Sequence, residues 1–313
     1  MATLDPFTLS FDPVLARQLK RDITGEIFKA IKCPDVKVFR DFIRLLVNLP
    51  TRRFAEIMAD FDRGIQKSGL RFASSNLLQK LTEYVTSIGT CVIPEKGPTI
   101  VASNHPGTYD GLTILSQLPR EDVKIIVGAN PFFRNLPNGS RFLIFATREQ
   151  QIRVEVIRLA IRHLQEGGLL LIFPSGRIDP DPAILEGAQD GIQYWSRSLA
   201  VFLRKVPQAK LILAITSGVI TNDFVNHPLP RLFKNGVERR RITEFMQVIK
   251  QMILNRKIPL NPRVCFTEEK RNDPNEDLDL IKRMESIRTQ ALDLLQYHMR
   301  EFYPITQIST AGG

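Results

Sequence analysis

Four short apolar runs set the rhythm of the chain between residues 98 and 215: 98–103, 142–147, 169–173 and 211–215. Each has the length of a strand buried on both faces, and each stops at a turn-forming or charged residue. Between the second and third runs, Ile152, Val156, Leu159, Ala160 and the pair His163-Leu164 recur at three- and four-residue intervals. Arg153, Arg158 and Arg162 fall off that stripe, and Gly167-Gly168 stop it. That is the period of an amphipathic helix. Strands alternating with helices predict an α/β fold, a mostly parallel central sheet flanked by helices.

Upstream the helical period dominates. Ser10, Asp12 and Pro13 start a helix whose stripe is Val14, Leu15, Leu19, Ile23, Ile27 and Phe28. Pro34-Asp35 open a second, with Val38, Phe39, Phe42, Ile43, Leu45 and Leu46, which Pro50 is expected to close. Phe54, Ile57, Met58, Phe61 and Ile65 mark a third, and Leu77, Leu78, Leu81 and Val85 a fourth. Cys91-Val92-Ile93-Pro94 reads as a short strand leading into the run at 98–103. Downstream, Arg263-Val264-Cys265-Phe266 reads as a last strand, an acidic loop runs from Glu268 to Asp279, and a terminal helix covers about residues 280 to 303. The pattern divides the chain into a helical N-terminal region (1–90), one α/β domain (91–305) and a frayed tail (306–313).

The first run ends in Ser103-Asn104-His105-Pro106-Gly107-Thr108-Tyr109-Asp110, with His105 and Asp110 five positions apart. On a continuous helix such positions diverge by about 140°. Pro106-Gly107 break the helix and let the carboxylate fold back. An imidazole, with an ordinary pKa of about 6.5, is a usable base, and a carboxylate on its other nitrogen fixes the tautomer. No protein nucleophile accompanies the pair, so the attacking oxygen would be a substrate hydroxyl. Arg148 ends the second run and Pro174-Ser175-Gly176-Arg177 end the third. Both arginines therefore stand past strand ends, where parallel α/β sheets bind ligands, and Arg suits bidentate phosphate contact.

These residues resemble, in order and separation, the motifs of the glycerol-phosphate and lysophospholipid acyltransferases. Asn104, His105 and Asp110 match the Asn-His-x-x-x-x-Asp motif, and Phe145-Ala146-Thr147-Arg148 match the strand that ends in Arg. Phe173-Pro174-Ser175-Gly176-Arg177 match Phe-Pro-Glu-Gly-Thr-Arg only in part, with Ser175 where the family has its acid and one residue fewer before Arg177. Gly187-Ala188 resemble the Gly-Ala that opens the next helix, and the fourth motif survives only as an apolar run without its proline. The resemblance spans about residues 90 to 220. It implies acyl transfer from acyl-CoA or acyl carrier protein, with no other cofactor, to a hydroxyl of a glycerol-phosphate-like or lysophospholipid acceptor. His105 would be the base and Asp110 its orienter, with Asn104, Gly107, Arg148, Ser175, Gly176 and Arg177 binding substrate. Ser175 cannot pair with a cation as the family's acid does, which puts glycerol 3-phosphate itself in question as the acceptor. The same departure motivates a rival reading, a lipid-binding membrane-surface protein that has lost turnover. A serine hydrolase is disfavoured, because Phe-Pro-Ser-Gly lacks the first glycine of a nucleophile elbow.

Composition narrows the setting. At 313 residues and 43 % apolar content the chain can bury a sizeable core. Its three cysteines, Cys33, Cys91 and Cys265, are far apart and in no metal spacing, which points to a reduced compartment and to no metal site. The amino terminus lacks a signal-peptide pattern, and no run reaches the roughly 20 apolar residues of a membrane span. The expected location is cytoplasmic, or peripheral on the inner face of a membrane. The formal net charge is +10, and residues 231–257 hold eight basic residues against Glu238 and Glu244. Such a stretch fits an anionic membrane surface. Nucleic acid is not expected, because aromatics are sparse in the stretch and no zinc-finger, helix-turn-helix or RNA-binding signature accompanies it.

Overall fold

A computed structural model of the chain describes residues 9–30, 34–147, 149–231, 233, 235–271 and 279–304. Seven strands form one sheet: β1 (Thr86–Ile88), β2 (Thr99–Ser103), β3 (Val123–Gly128), β4 (Leu143–Ala146), β5 (Leu169–Ile172), β6 (Lys210–Ser217) and β7 (Arg263–Glu268), in the order β1-β7-β6-β2-β5-β3-β4. The five strands from β6 to β4 are mutually parallel, whereas β7 runs antiparallel to β6 and carries β1 parallel to itself. This is the mostly parallel α/β sheet that the runs predict, with β2 and β5 wholly buried.

Alternation along the central strands splits the core in two. Ile100, Ala102, Leu170, Ile172, Leu211, Leu213 and Ile215 face α5 (Gln150–Gln165), α6 (Ala188–Gln193), α7 (Ser198–Lys205) and α11 (Leu280–Phe302), around the fully buried Trp195 and Phe202. Val101, Leu169, Leu171, Ile212 and Ala214 face α3 (Thr108–Leu115) and the second half of α2 (Lys37–Leu81). A third cluster lies over the carboxyl ends of the parallel strands. It joins α1 (Pro13–Ala30) and the middle of α2 to Tyr109, Phe132 of α4 (Pro131–Arg134), Val219, Ile220 and Met252. The remaining helices are α8 (Asn222–Val225), α9 (Pro228–Arg231) and α10 (Gly236–Leu254).

Three details differ from the sequence pattern. Pro50 does not end a helix. α2 runs through it, and the Thr51 hydroxyl, 2.6 Å from the Val47 carbonyl and 3.2 Å from that of Asn48, meets carbonyls at the proline turn. The break falls instead at Gly69, whose φ of 83° is open to glycine, and the Glu121 carboxylate caps the restarted helix by accepting from Leu70 N and Arg71 N. The expected strand at 91–94 is absent, because Gly89, at φ 78°, turns the chain into a short 3-10 turn (Thr90–Val92) and the pairing segment is β1, just before it. β3 is a strand the runs did not reveal. The terminal helix falls within the bounds expected for it, while residues 272–278 of the acidic loop and the tail at 306–313 lie outside the described residues.

Candidate active site

Strand β2 delivers His105 to the carboxyl edge of the sheet, two residues past Ser103. Asn104 braces this exit: its amide donates to the Thr216 carbonyl at 2.9 Å and accepts from Thr216 N at 2.8 Å, tying β2 to β6. Both ends of the side chain are thereby engaged and it is buried, so Asn104 holds the turn. Pro106-Gly107 then reverse the chain into α3, and Asp110 falls in the first turn of that helix, where a carboxylate is favoured by the exposed N–H groups.

The predicted pair forms. His105 Nδ1 lies 2.8 Å from Asp110 Oδ2, which also accepts from Gly107 N at 3.0 Å, and Asp110 Oδ1 accepts from Gly111 N at 2.5 Å. Gly107 thus serves through its backbone. His105 Nε2 has no protein hydrogen bond among the described residues, and 31 % of the side chain is exposed, enough for a substrate hydroxyl to reach it. Phe173, at the end of β5, packs on the other side of the ring with centroids 4.6 Å apart. Burial alone pulls the His105 pKa down, but the Asp110 carboxylate, with Glu244 and Asp179 beyond it, more than compensates and raises it to about 9.

Two of these acids were not singled out in the sequence. Asp179 donates its N–H to the His105 carbonyl at 2.7 Å and accepts from His105 N on Oδ2 at 3.0 Å, clamping the histidine backbone from both sides. Ser175 Oγ lies 3.0 Å from that same Oδ2 and 3.0 Å from the Arg177 carbonyl. The residue that replaces the expected acid therefore supports a carboxylate four positions later. Asp181 pins the neighbouring turn, accepting from Gly218 N, Val219 N and Ile220 N after β6. Glu244, on α10, accepts from the Thr108 hydroxyl, and burial raises its pKa.

Gly176, exposed at φ 63°, makes the turn after β5, and Arg177 swings away from it to stack over the Tyr194 ring, its guanidinium carbon 3.6 Å from the centroid. Arg177 Nε is buried without a hydrogen-bond partner. Arg148 lies outside the described residues. The basic stretch is not one surface. On α10, positions 240, 244, 247 and 251 share a face turned toward the site: Arg240 Nε donates to the Ile178 carbonyl, Gln247 to the Val219 carbonyl, and Gln251 accepts from the Tyr109 hydroxyl. This stripe is polar, with Gln247 and Gln251 buried and Arg240 and Glu244 half-buried, so hydrophobic patterning gives no sign of it.

Beside Thr108 and Glu244 opens an apolar groove of about 260 Å³, walled by Ile23 and Ile27 of α1, Phe54 of α2, and Phe245 and Val248 of α10. A larger cleft, about 560 Å³ and lined by Arg63, Lys67 and Lys80, shares no residue with the His105 site. Two further histidines, His163 and His298, hold the fold. His163 Nε2 is 3.0 Å from the Leu169 carbonyl, and the wholly buried His298 lies between Ser217 and Cys265 with its pKa lowered to about 3 by burial.

A histidine–carboxylate pair at the carboxyl edge of a parallel sheet, its second ring nitrogen open beside an apolar groove, defines an α/β protein with a ligand site at its strand ends. The Acyltransferase family model matches residues 84–265, which include β2 to β6, His105, Asp110, Asp179 and Glu244. The chain belongs to the acyltransferase family. No curated protein matches it by sequence. Among solved structures, the 1-acyl-sn-glycerophosphate (LPA) acyltransferase PlsC from Thermotoga maritima is similar at 14 % identity over 93 % of this chain and 98 % of that one, with a TM-score of 0.42.

Proposed function

We propose that the protein moves a fatty acyl group from an acyl thioester, acyl-CoA or acyl carrier protein, to a hydroxyl of a glycerol-phosphate-like or lysophospholipid acceptor, with no further cofactor. The observation that carries this reading is the 2.8 Å His105–Asp110 pair with Nε2 left free. The neutral imidazole takes the acceptor proton as the hydroxyl oxygen attacks the thioester carbonyl, and Asp110 holds the imidazolium that results. The tetrahedral intermediate then expels the thiolate, to which His105 returns the proton. No acyl-enzyme is formed.

The N–H groups of His105 and Gly107 are already committed to Asp179 and Asp110, so the oxyanion falls to the first turn of α3, the positive end of its dipole. The apolar groove beside Thr108 accommodates the acyl chain, and Arg177 faces the phosphate of the acceptor. An intact base beside the groove favours catalysis over the lipid-binding alternative, which has no need of one.

No helix among the described residues is long and apolar enough to cross a membrane. Access to lipid is by docking on an anionic surface. The exposed apolar residues Val38, Phe42, Leu45 and Leu46 on the first turns of α2 support this, beside Arg40 and Arg44, which pair with Asp35 and Asp41. The test of the reaction is thiol release from acyl-CoA by the purified full-length chain with a panel of lysophospholipids, glycerol 3-phosphate and monoacylglycerol. Release that depends on one acceptor and yields its acylated product supports the reading; release with none, from acyl-CoA and from acylated carrier protein alike, refutes it.

A further inference from the structure

Acyl transfer calls for a hydrogen-bond donor at the thioester oxygen as it becomes an oxyanion. The turn that carries His105 has few to spare. His105 N is taken by Asp179, Gly107 N by Asp110 and the Thr108 hydroxyl by Glu244, which the Thr108 N–H also meets. The Glu244 carboxyl group reaches this turn from α10. A Cβ built on Gly107 would stand 3.5 Å from its Oε1 and 3.6 Å from its Cδ. Thr108 and Glu244 also line the apolar groove. A thioester whose chain lies in that groove and whose carbonyl carbon faces the hydroxyl held by His105 therefore has its carbonyl beside Glu244.

The surroundings favour the acid form of this side chain. α1 and α2 give the groove Ile23, Ile27, Phe54 and no charged group. Arg241, one turn earlier on α10, lines the groove as well, but it is exposed and pairs with no acid among the described residues. The remaining charges around Glu244 are those of the His105 ring and Asp110, with Asp179 on the far side of the histidine. When His105 is neutral and ready to act as a base, Asp110 keeps its charge, and a second carboxylate beside it is disfavoured. Burial and the Asp110 charge both raise the Glu244 pKa, against the pull of Thr108 and of a charged His105.

We propose that Glu244, as a neutral carboxylic acid, is a catalytic residue that donates its O–H to the thioester carbonyl oxygen and stabilises the oxyanion of the tetrahedral intermediate. This rests on the acyl-transfer reading above. As the acceptor oxygen bonds to the carbonyl carbon, the C=O π pair moves onto oxygen, and the Glu244 O–H holds it there while keeping its proton. When the pair returns to re-form C=O, the C–S bond breaks and the thiolate takes the proton held by His105. A carboxylic acid kept neutral by its site serves the same purpose in other enzymes.

The test compares full-length wild type with Glu244→Gln, which keeps a donor, and with Glu244→Ala and the bulkier Glu244→Met, which have none. With acyl-CoA and lysophosphatidate, Ala and Met should lower kcat by about 10² to 10³, as the loss of an oxyanion donor does, while Gln stays within about tenfold of wild type. KM for acyl-CoA should move by no more than about twofold, because the contact forms fully only in the transition state. Isotope-edited infrared spectra of acyl-CoA bound without acceptor read the contact directly: the thioester carbonyl band should shift to lower frequency in wild type and Glu244→Gln, and less in Ala and Met. Ala and Met variants at or above the wild-type kcat would show a side chain that only caps α3 or obstructs the site, and overturn the assignment, as would a Gln variant no faster than they are. If the wild type transfers no acyl group, the acyl-transfer reading fails and the infrared comparison decides alone. A band shift that Ala and Met lose upholds Glu244 as a donor to a bound thioester; equal bands, or no binding, overturn it.

Discussion

Replacing Asp110 by asparagine removes one charge from a carboxylate with three fixed partners, and the cost can be followed atom by atom. Oδ2 accepts from His105 Nδ1 and Gly107 N, and Oδ1 from Gly111 N. An asparagine must place its NH2 toward one of these oxygen positions, so a backbone N–H loses its acceptor in either orientation. If the NH2 faces the ring as well, Nδ1 must accept and the proton moves to Nε2, the nitrogen needed as the base. An unsatisfied N–H costs about 1–3 kcal/mol, a drop of a few degrees in Tm for a chain of this size. The rate should fall by about 10² to 10⁴.

The pH dependence provides the sharper test. The imidazole pKa, about 9 in the wild type, leaves only about 1 % of His105 as free base at pH 7. Log kcat/KM should therefore climb with pH, nearly one unit per unit, and level off near 9. Without the Asp110 charge the apparent pKa should drop by a unit or more while the plateau falls. Stability follows the same group with the opposite slope. A raised histidine pKa stabilises the fold fully below 6.5, and the benefit is lost as pH rises through about 9, so the Tm gap between wild type and variant should narrow above that pH to the part due to the unsatisfied N–H. The assay is thiol release from acyl-CoA between pH 6 and 10, with thermal melts in the same buffers. A wild-type profile flat across that range, or an Asp110→Asn profile with an unmoved pKa, would refute the electrostatic role given to Asp110.

Gly191→Ala should act at a distance from the chemistry: the new Cβ would meet Asp179 Oδ1 at 2.9 Å, displacing the clamp on the His105 backbone. A loss of about 1–3 kcal/mol in denaturant midpoint analysis is expected together with lower kcat, and unchanged kcat would separate Asp179 from catalysis. Replacing Phe42 and Leu45 by serine should weaken co-sedimentation with anionic vesicles, since burying such side chains contributes about 1.5–3 kcal/mol each, while leaving the melting temperature nearly unchanged because both are exposed. Vesicle binding should also fall as salt rises. Binding indifferent to both changes would remove this face of α2 from membrane docking.

How much of this was legible follows from what each feature depends on. Strands β2, β5 and β6 are continuous apolar runs because both faces of a parallel sheet are buried, and His105 and Arg177 are legible because they stand beside the ends of such runs. β3 escaped because Lys124 interrupts it, its amine reaching the Arg141 carbonyl. Asp179 sits in Ile178-Asp179-Pro180-Asp181-Pro182, which has the composition of an ordinary loop, and only the fold shows that one aspartate holds the His105 backbone and the next the turn after β6. Glu244 and Arg240 were hidden by counting charge over a window. The spacing of 240, 244, 247 and 251 was available, but a buried polar stripe is invisible to a search for apolar ones. Pro50 ordinarily ends a helix, yet α2 continues through it, a continuity set by the packing of the middle of α2 and not by local sequence.

The most direct test of the account is the rate of acyl transfer by His105→Ala, measured at saturating acyl-CoA and lysophosphatidate on protein whose circular dichroism and melting curve match the wild type. Removing the base should cut the rate by about 10² to 10⁴ and abolish the rise with pH toward 9. A folded His105→Ala protein that turns over at near the wild-type rate would contradict the assignment of His105 as the base.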